Sequence, residues 1–291
     1  MAGGSTIVME AVRAADPDRY LSALYAPADK RDALLALYAF NAEVASVRDR
    51  IHEPLPGEVR LQWWRDVIMA EGEAETGHPT ADALRAAIAA NHLPKAAFEN
   101  MLEARIFDLY DDPMPSRTDL EGYCGETAAA LIQLAAMVLD PNAAQRFAEL
   151  AGRAGCAQAI TGLLLLLPLH RRRGQCFIPS DILAAAGSSP EEFVKGDGDA
   201  AAERAVAAMI ALAREHLGAF EKGASALPAS LRPAFLPLAL TRAYLDKMEK
   251  AGRSPLGNTA TLSTLGRHWR LLRHAMRGWA MAASLRTTAR R

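Results

Sequence analysis

From Pro27 onward, residues of like character return every three or four positions: Leu34, Leu37, Tyr38, Asn41, Val44, Ala45 and Arg48 share one helical register. This spacing predicts a long helix after Pro27, with Asp29 as its N-cap and Asp32 in its first turn, ending before Pro54-Leu55-Pro56-Gly57. The same period predicts helices over 59–71, which carries Leu61, Trp63 and Trp64, then over 81–91 and 94–110, with a polar loop at 72–79. Pro113 and Pro115 break the chain. A helix rich in small residues is expected from Asp119 to about 139, then one or two over 141–167, a loop at 171–180, a short helix over 181–186 and a loop over 187–198. Helices over 200–223, 231–251 and 262–283 complete the set. No segment alternates with period two for a useful length, and no internal repeat is visible. The pattern predicts an all-α bundle of about ten helices in a single domain, 1–291, with small residues allowing close helix contacts.

Composition strengthens this reading. Of the 291 residues 51% are hydrophobic, enough for a large core, and 6% are aromatic. Ala and Leu dominate, and both favour helix. The net charge of −1 creates no field that calls for nucleic acid. Cys124, Cys156 and Cys176 stand at unrelated spacings, which suits a reducing compartment and forms neither a disulfide framework nor a zinc site. The first fifteen residues lack a signal-peptide pattern. The longest apolar run, 163–169, is too short to span a bilayer and contains Pro168. A cytoplasmic protein is expected.

Four segments carry a resemblance. They are Leu37-Tyr38-Ala39-Phe40; Tyr123-Cys124-Gly125-Glu126-Thr127-Ala128, preceded by Asp108 and Leu120; Thr161-Gly162-Leu163-Leu164 continuing to Gly174-Gln175-Cys176-Phe177-Ile178-Pro179; and Leu227-Pro228 through Arg232-Pro233 to Tyr244-Leu245. In this order the chain resembles the squalene/phytoene synthase family. The resemblance implies an isoprenoid-synthase-type bundle around a central cavity. In that family, enzymes join two allylic diphosphates head to head, and magnesium held by aspartates neutralises the leaving group.

This chain departs from the family pattern where the chemistry sits. The family has an Arg two residues after the Phe and then Asp-Asp-x-x-Asp; here Ala42 replaces the Arg, and the acidic motif reads Ala45-Ser46-Val47-Arg48-Asp49. At the second site Gly162 replaces an Asn, Leu165 an Arg, Leu166 the first Asp and His170 the second. The family Gln falls on Ala159, with Gln158 adjacent. Three of the four aspartates of the two pairs are therefore apolar or imidazole, and leucine cannot bind magnesium. Val47 to Ile51, Glu53 to Glu58 and Leu61-Gln62-Trp63-Trp64-Arg65-Asp66 are similar to a divergent branch that includes mitochondrial complex I assembly proteins and their bacterial relatives.

On this resemblance the residues expected to face a substrate are Tyr38, Asn41, Asp49, Tyr123, Gln158, Thr161, His170 and Arg171, with Asp49 the best catalytic candidate and no metal ligand set. Asp49 reads either as a remnant ligand or as a carboxylate paired with Arg48, Arg50 or Arg65. His170 has no second soft ligand at helical spacing. Arg171-Arg172-Arg173 reads as a phosphate holder or as a solvated basic turn at a helix C-terminus. One of Trp63 and Trp64 is expected in the core. Near the C-terminus Leu265, Trp269, Leu272, Met276 and Trp279 form an apolar stripe flanked by Arg267, Arg270, Arg273 and Arg277. That stripe suits a last bundle helix or attachment to an anionic membrane surface. The implied function is a non-catalytic isoprenoid- or lipid-binding protein, or a respiratory-complex assembly protein, with complex subunits or the inner-membrane surface as partners and no cofactor. The alternative is a magnesium-dependent prenyltransferase of isoprenoid biosynthesis.

Overall fold

A computed structural model describes residues 2–72, 75–196, 200–250 and 256–279. The described residues are helical, without strands, and ten α-helices run ten residues or more. The chain divides into two units, each assembled from discontinuous segments.

The first unit takes residues 1–110, 130–148 and 228–237. Its centre is α3 (Ala28–Ala45), in which every residue from Leu34 to Phe40 is buried. A helix buried on all sides shows no clean amphipathic stripe. It is enclosed by α1 (Ala2–Ala15), α2 (Pro17–Ala23), α6 (Pro79–Asn91) and α9 (Ala130–Leu139). Phe40 meets Trp64 of α5 (Pro54–Met69) edge-on at 5.1 Å and Phe98 of α7 (Lys95–Ile106) at 5.6 Å, the geometry that aromatic quadrupoles favour. A single turn, α4 (Val47–Arg50), and the short α10 (Pro141–Ala144) and α16 (Arg232–Phe235) complete the unit.

The second unit takes 111–129, 149–227 and 238–291. It contains α8 (Arg117–Cys124), α11 (Ala148–Leu165), α12 (Leu167–Arg172), α13 (Ser180–Ala186), α14 (Pro190–Lys195), α15 (Ala200–Gly223), α17 (Leu238–Lys250) and α18 (Thr264–Arg277). The 24-residue α15 packs on α13 and α17, and Met209, Leu212 and Phe220 are among its buried residues. Gly187, at φ +80°, ends α13, and the Ala186 carbonyl accepts from Arg204 of α15 at 2.7 Å.

Several sequence-based boundaries shift. α1 and α2 precede Pro27, where no helix was expected. Asp29 lies in the first turn of α3, and Pro27 is its N-cap residue. α3 stops at Ala45 because Ser46 turns its hydroxyl back to the Glu43 carbonyl (3.0 Å), a bond that competes with helix propagation. α5 begins at Pro54, whose missing N–H costs nothing at a helix start. Ser116, not Asp119, caps α8. The expected loop at 187–198 holds α14, opened by a capping box: Ser189 Oγ accepts from the Glu192 N–H (3.2 Å) and the Glu192 carboxylate from the Ser189 N–H (2.9 Å). A π turn over Gly125–Ala129 joins α8 to α9. The whole run Arg117–Leu139 is long and apolar enough to cross a bilayer, although over half of its apolar window is buried in the protein. The last helix ends at Arg277; positions 280–283 of its expected extent lie outside the described residues.

Candidate functional site

In the first unit Tyr38 is buried in α3. Burial pushes its phenol above the ordinary range, with partial relief from the Arg19 cation 6.0 Å from the ring. Arg19 is itself ion-paired to Asp16, the N-cap of α2. Asn41 is half-buried one turn on. The break at Ser46 means that Ala45 and Asp49 do not share one uninterrupted helix, and Asp49 stands exposed on α4. Nearby, Arg48 donates to the His52 carbonyl (2.6 Å) and Arg65 pairs with Glu103 (3.0 Å).

Trp64 is fully buried, and Trp63 lies half-buried beside it. The Arg60 guanidinium sits 4.2 Å over the Trp63 ring. Arg60 and His78 both reach the Glu43 carboxylate, at 3.5 and 3.4 Å. The Glu43–Arg60–His78 cluster was not foreseen. Its only sequence signal is a carboxylate two residues beyond Asn41, and the partners lie 17 and 35 residues away along the chain.

In the second unit α11 carries Gln158, half-buried, and Thr161, buried with its hydroxyl donating to the Ala157 carbonyl (2.7 Å). α11 ends at Leu165, Leu166 is 48% exposed, and Pro168 sits in the first turn of α12. His170 is buried with its ring 4.7 Å from Phe177, and Tyr123 of α8 lies 6.2 Å from the same ring. Two of the predicted residues, Tyr123 and His170, thus gather around Phe177. The segment that supplies Phe177 is held in place. Gly174, at φ +79°, makes the turn, the Gln175 N–H donates to the His170 carbonyl (2.9 Å) and the Met114 N–H donates to the Cys176 carbonyl (3.1 Å). Burial pushes the Cys176 thiol up to about 11.

Arg171 spends its donors on the backbone. It reaches the carbonyls of Phe193 (3.0 Å), Leu256 (3.2 Å) and Gly196, and it stacks over the Phe193 ring at 5.4 Å. A second network that sequence reading missed joins α8 to α15. Arg117 binds Glu121 and Glu215, each at 2.9 Å, and the buried His216 meets the Glu121 carboxylate at 3.0 Å. The Arg117/Glu121 half is a legible i,i+4 pair; the 95-residue reach to His216 is not.

Magnesium demands clustered carboxylate oxygens. Among the described residues no three His, Cys, Asp or Glu side chains come together as a metal site needs. The side chains at 45, 46, 166 and 170 are methyl, hydroxymethyl, isobutyl and imidazole.

Known proteins agree with the resemblance. Rat "NADH dehydrogenase (ubiquinone) complex I, assembly factor 6" is 30% identical over 243 residues, covering 83% of this chain and 73% of that protein. Chloroplastic phytoene synthase 1 of Arabidopsis thaliana is 25% identical over 236 residues, covering 79% of this chain and 56% of its own length. A crystal structure of a dehydrosqualene synthase in complex with ligand superposes with a TM-score of 0.81 at 18% identity, over 94% of this chain and 96% of that one. That likeness shows the all-α isoprenoid synthase fold. The squalene/phytoene synthase family model matches residues 12–273, and with nine-tenths of the sequence inside that match the chain belongs to this family.

Proposed function

We propose that this protein is a non-catalytic member of the family, which keeps the helical scaffold to bind an isoprenoid or other lipid and acts in the assembly of respiratory complex I. The observation that carries the reading is the side-chain chemistry at positions 166 and 170. Where the family aligns a pair of aspartates, this chain has an exposed leucine and an imidazole packed on Phe177. Neither supplies the hard oxygen ligands that magnesium requires, so the residues present do not fit the metal. An apolar side chain there favours a lipid tail over a diphosphate. The likeness to assembly factor 6 proteins supports the complex I role.

Purified protein given farnesyl or geranylgeranyl diphosphate with magnesium is expected to release no diphosphate. Native mass spectrometry is expected to find a bound isoprenoid or other lipid. Deleting the gene in its own host is expected to lower assembled complex I on native gels. Magnesium-dependent diphosphate release that disappears in Asp49→Ala would establish the prenyltransferase alternative instead.

A further inference from the structure

The outer face of α18 runs against the ordinary logic of a final bundle helix. Four of the five residues of its apolar stripe point outward. Leu265 is 81% exposed, Trp269 65%, Met276 71% and Leu272 38%. At about 100° per residue these four positions fall within about 60° of the helix circumference. The inward contacts use other residues: Leu271 is buried, Arg267 donates to the Tyr244 hydroxyl (3.2 Å), and Trp279, just past the helix end, meets Phe220 edge-on at 5.2 Å. The helix is therefore anchored by one side while a second side offers large apolar groups. Along one edge of the exposed stripe stand Arg270, Arg273 and Arg277.

Charge indicates what the face meets. Residues 250–291 contain nine Lys or Arg and no Asp or Glu. The chain as a whole carries −1, so the first 249 residues carry −10 against the +9 of this segment. A groove of about 740 Å3 adjoins the helix, with Lys250, Arg270, Arg273 and His274 in its wall. Its two acids are already engaged, Glu221 by Arg242 and Asp246 by Arg214. Exposed Leu and Trp beside a one-signed basic edge match an anionic bilayer surface, where Trp sits at headgroup depth and arginine reaches lipid phosphate.

We propose that α18 docks this protein peripherally on an anionic phospholipid membrane, with Leu265, Trp269, Leu272 and Met276 seated at the headgroup boundary and the arginines on lipid phosphates. This rests on the exposure and charge of α18 and is independent of whether the bundle performs chemistry. Flotation of the full-length protein with vesicles tests it. The protein is expected to float with equimolar phosphatidylcholine/phosphatidylglycerol vesicles, less so as salt rises, and not with phosphatidylcholine alone. Leu265→Glu combined with Trp269→Glu is expected to abolish flotation without moving the thermal melt, since both positions are exposed. Arg273→Gln and Arg277→Gln are each expected to weaken partitioning about fivefold. Leu55→Glu, at an exposed apolar position on α5, is expected to float like the parent. Four results would overturn the proposal: no flotation with either vesicle, equal flotation with both, undiminished flotation of the double glutamate variant, or a lipid-free dimer that this variant splits, which would assign the face to a second copy of the chain.

Discussion

At Gly155 a single hydrogen atom decides how closely two backbones approach. A Cβ there would lie 2.4 Å from the Ala129 Cα and N, and backbone atoms cannot swing aside as a side-chain tip can. At Gly152, one turn earlier on α11, a Cβ would meet nothing within 4 Å. The two glycines should respond oppositely to the same change. Gly155→Ala is expected to destabilise by about 1–3 kcal/mol through overpacking, whereas Gly152→Ala is expected to stabilise by up to about 1 kcal/mol through helix propensity. Urea denaturation of the two variants checks this, and a shift of the same sign in both would refute the close-contact account. Sequence alone marks both positions only as small residues in a helix. It reads the tryptophan pair better: adjacent helical positions cannot both face inward, and Trp64 is the buried one. Tyr38, which the family resemblance places among the substrate-facing residues, is buried in the first unit beside Arg19.

Elements were legible in proportion to their amphipathic signal. The expected bounds of the helix over 200–223 coincide with those of α15, because its apolar positions keep helical register over 24 residues. α14 went unread because its six residues are too few to establish a period, and its start is written in the Ser189/Glu192 capping box instead. The α18 stripe was legible as a pattern, but a pattern cannot say which side of a helix meets the protein; Leu271 and Trp279 settle that. What ties α8 to α15 was legible only in part, and it carries a pH dependence. Burial works to raise the Glu121 carboxyl, but hydrogen bonds from Arg117 and His216 outweigh it and hold the group below the ordinary glutamate range. A carboxyl depressed in the folded state adds stability above its unfolded value, about 4.3, and that stability is lost as pH falls through the folded value. Glu121→Gln is therefore expected to lower stability at neutral pH and to flatten the acid limb of the stability–pH curve. Melting temperatures from about pH 7 down to about pH 3 measure it; parallel acid limbs in parent and variant would show that Glu121 does not set the dependence.

Over the whole molecule, a family match across residues 12–273 goes with described residues that are helical and without strands. Four ordered segments sufficed to read the fold from the sequence, since their order and spacing encode the helix arrangement. The candidate site was read from the family resemblance, and the Glu43 and Glu121 networks stayed hidden because their members lie far apart in sequence. If the scaffold is intact and only side chains separate it from a diphosphate site, returning those side chains should return metal binding. The variant Leu166→Asp/His170→Asp places two aspartates one turn apart at the start and middle of α12, where the family resemblance expects such a pair. Leu166 is half-exposed, so a carboxylate there costs little, whereas His170 is buried and its replacement buries charge until a cation arrives. The double variant is thus expected to melt below the parent in the absence of metal. A ligand that binds only the folded state stabilises it by RT ln(1 + [L]/Kd), about 2.7 kcal/mol at a hundredfold excess over Kd. Magnesium with inorganic pyrophosphate is therefore expected to raise the melting temperature of the double variant by several degrees and to leave the parent unmoved. A parent protein that gains stability from magnesium pyrophosphate would mean that residues already present hold the ion, and the proposed non-catalytic reading would fall with that result.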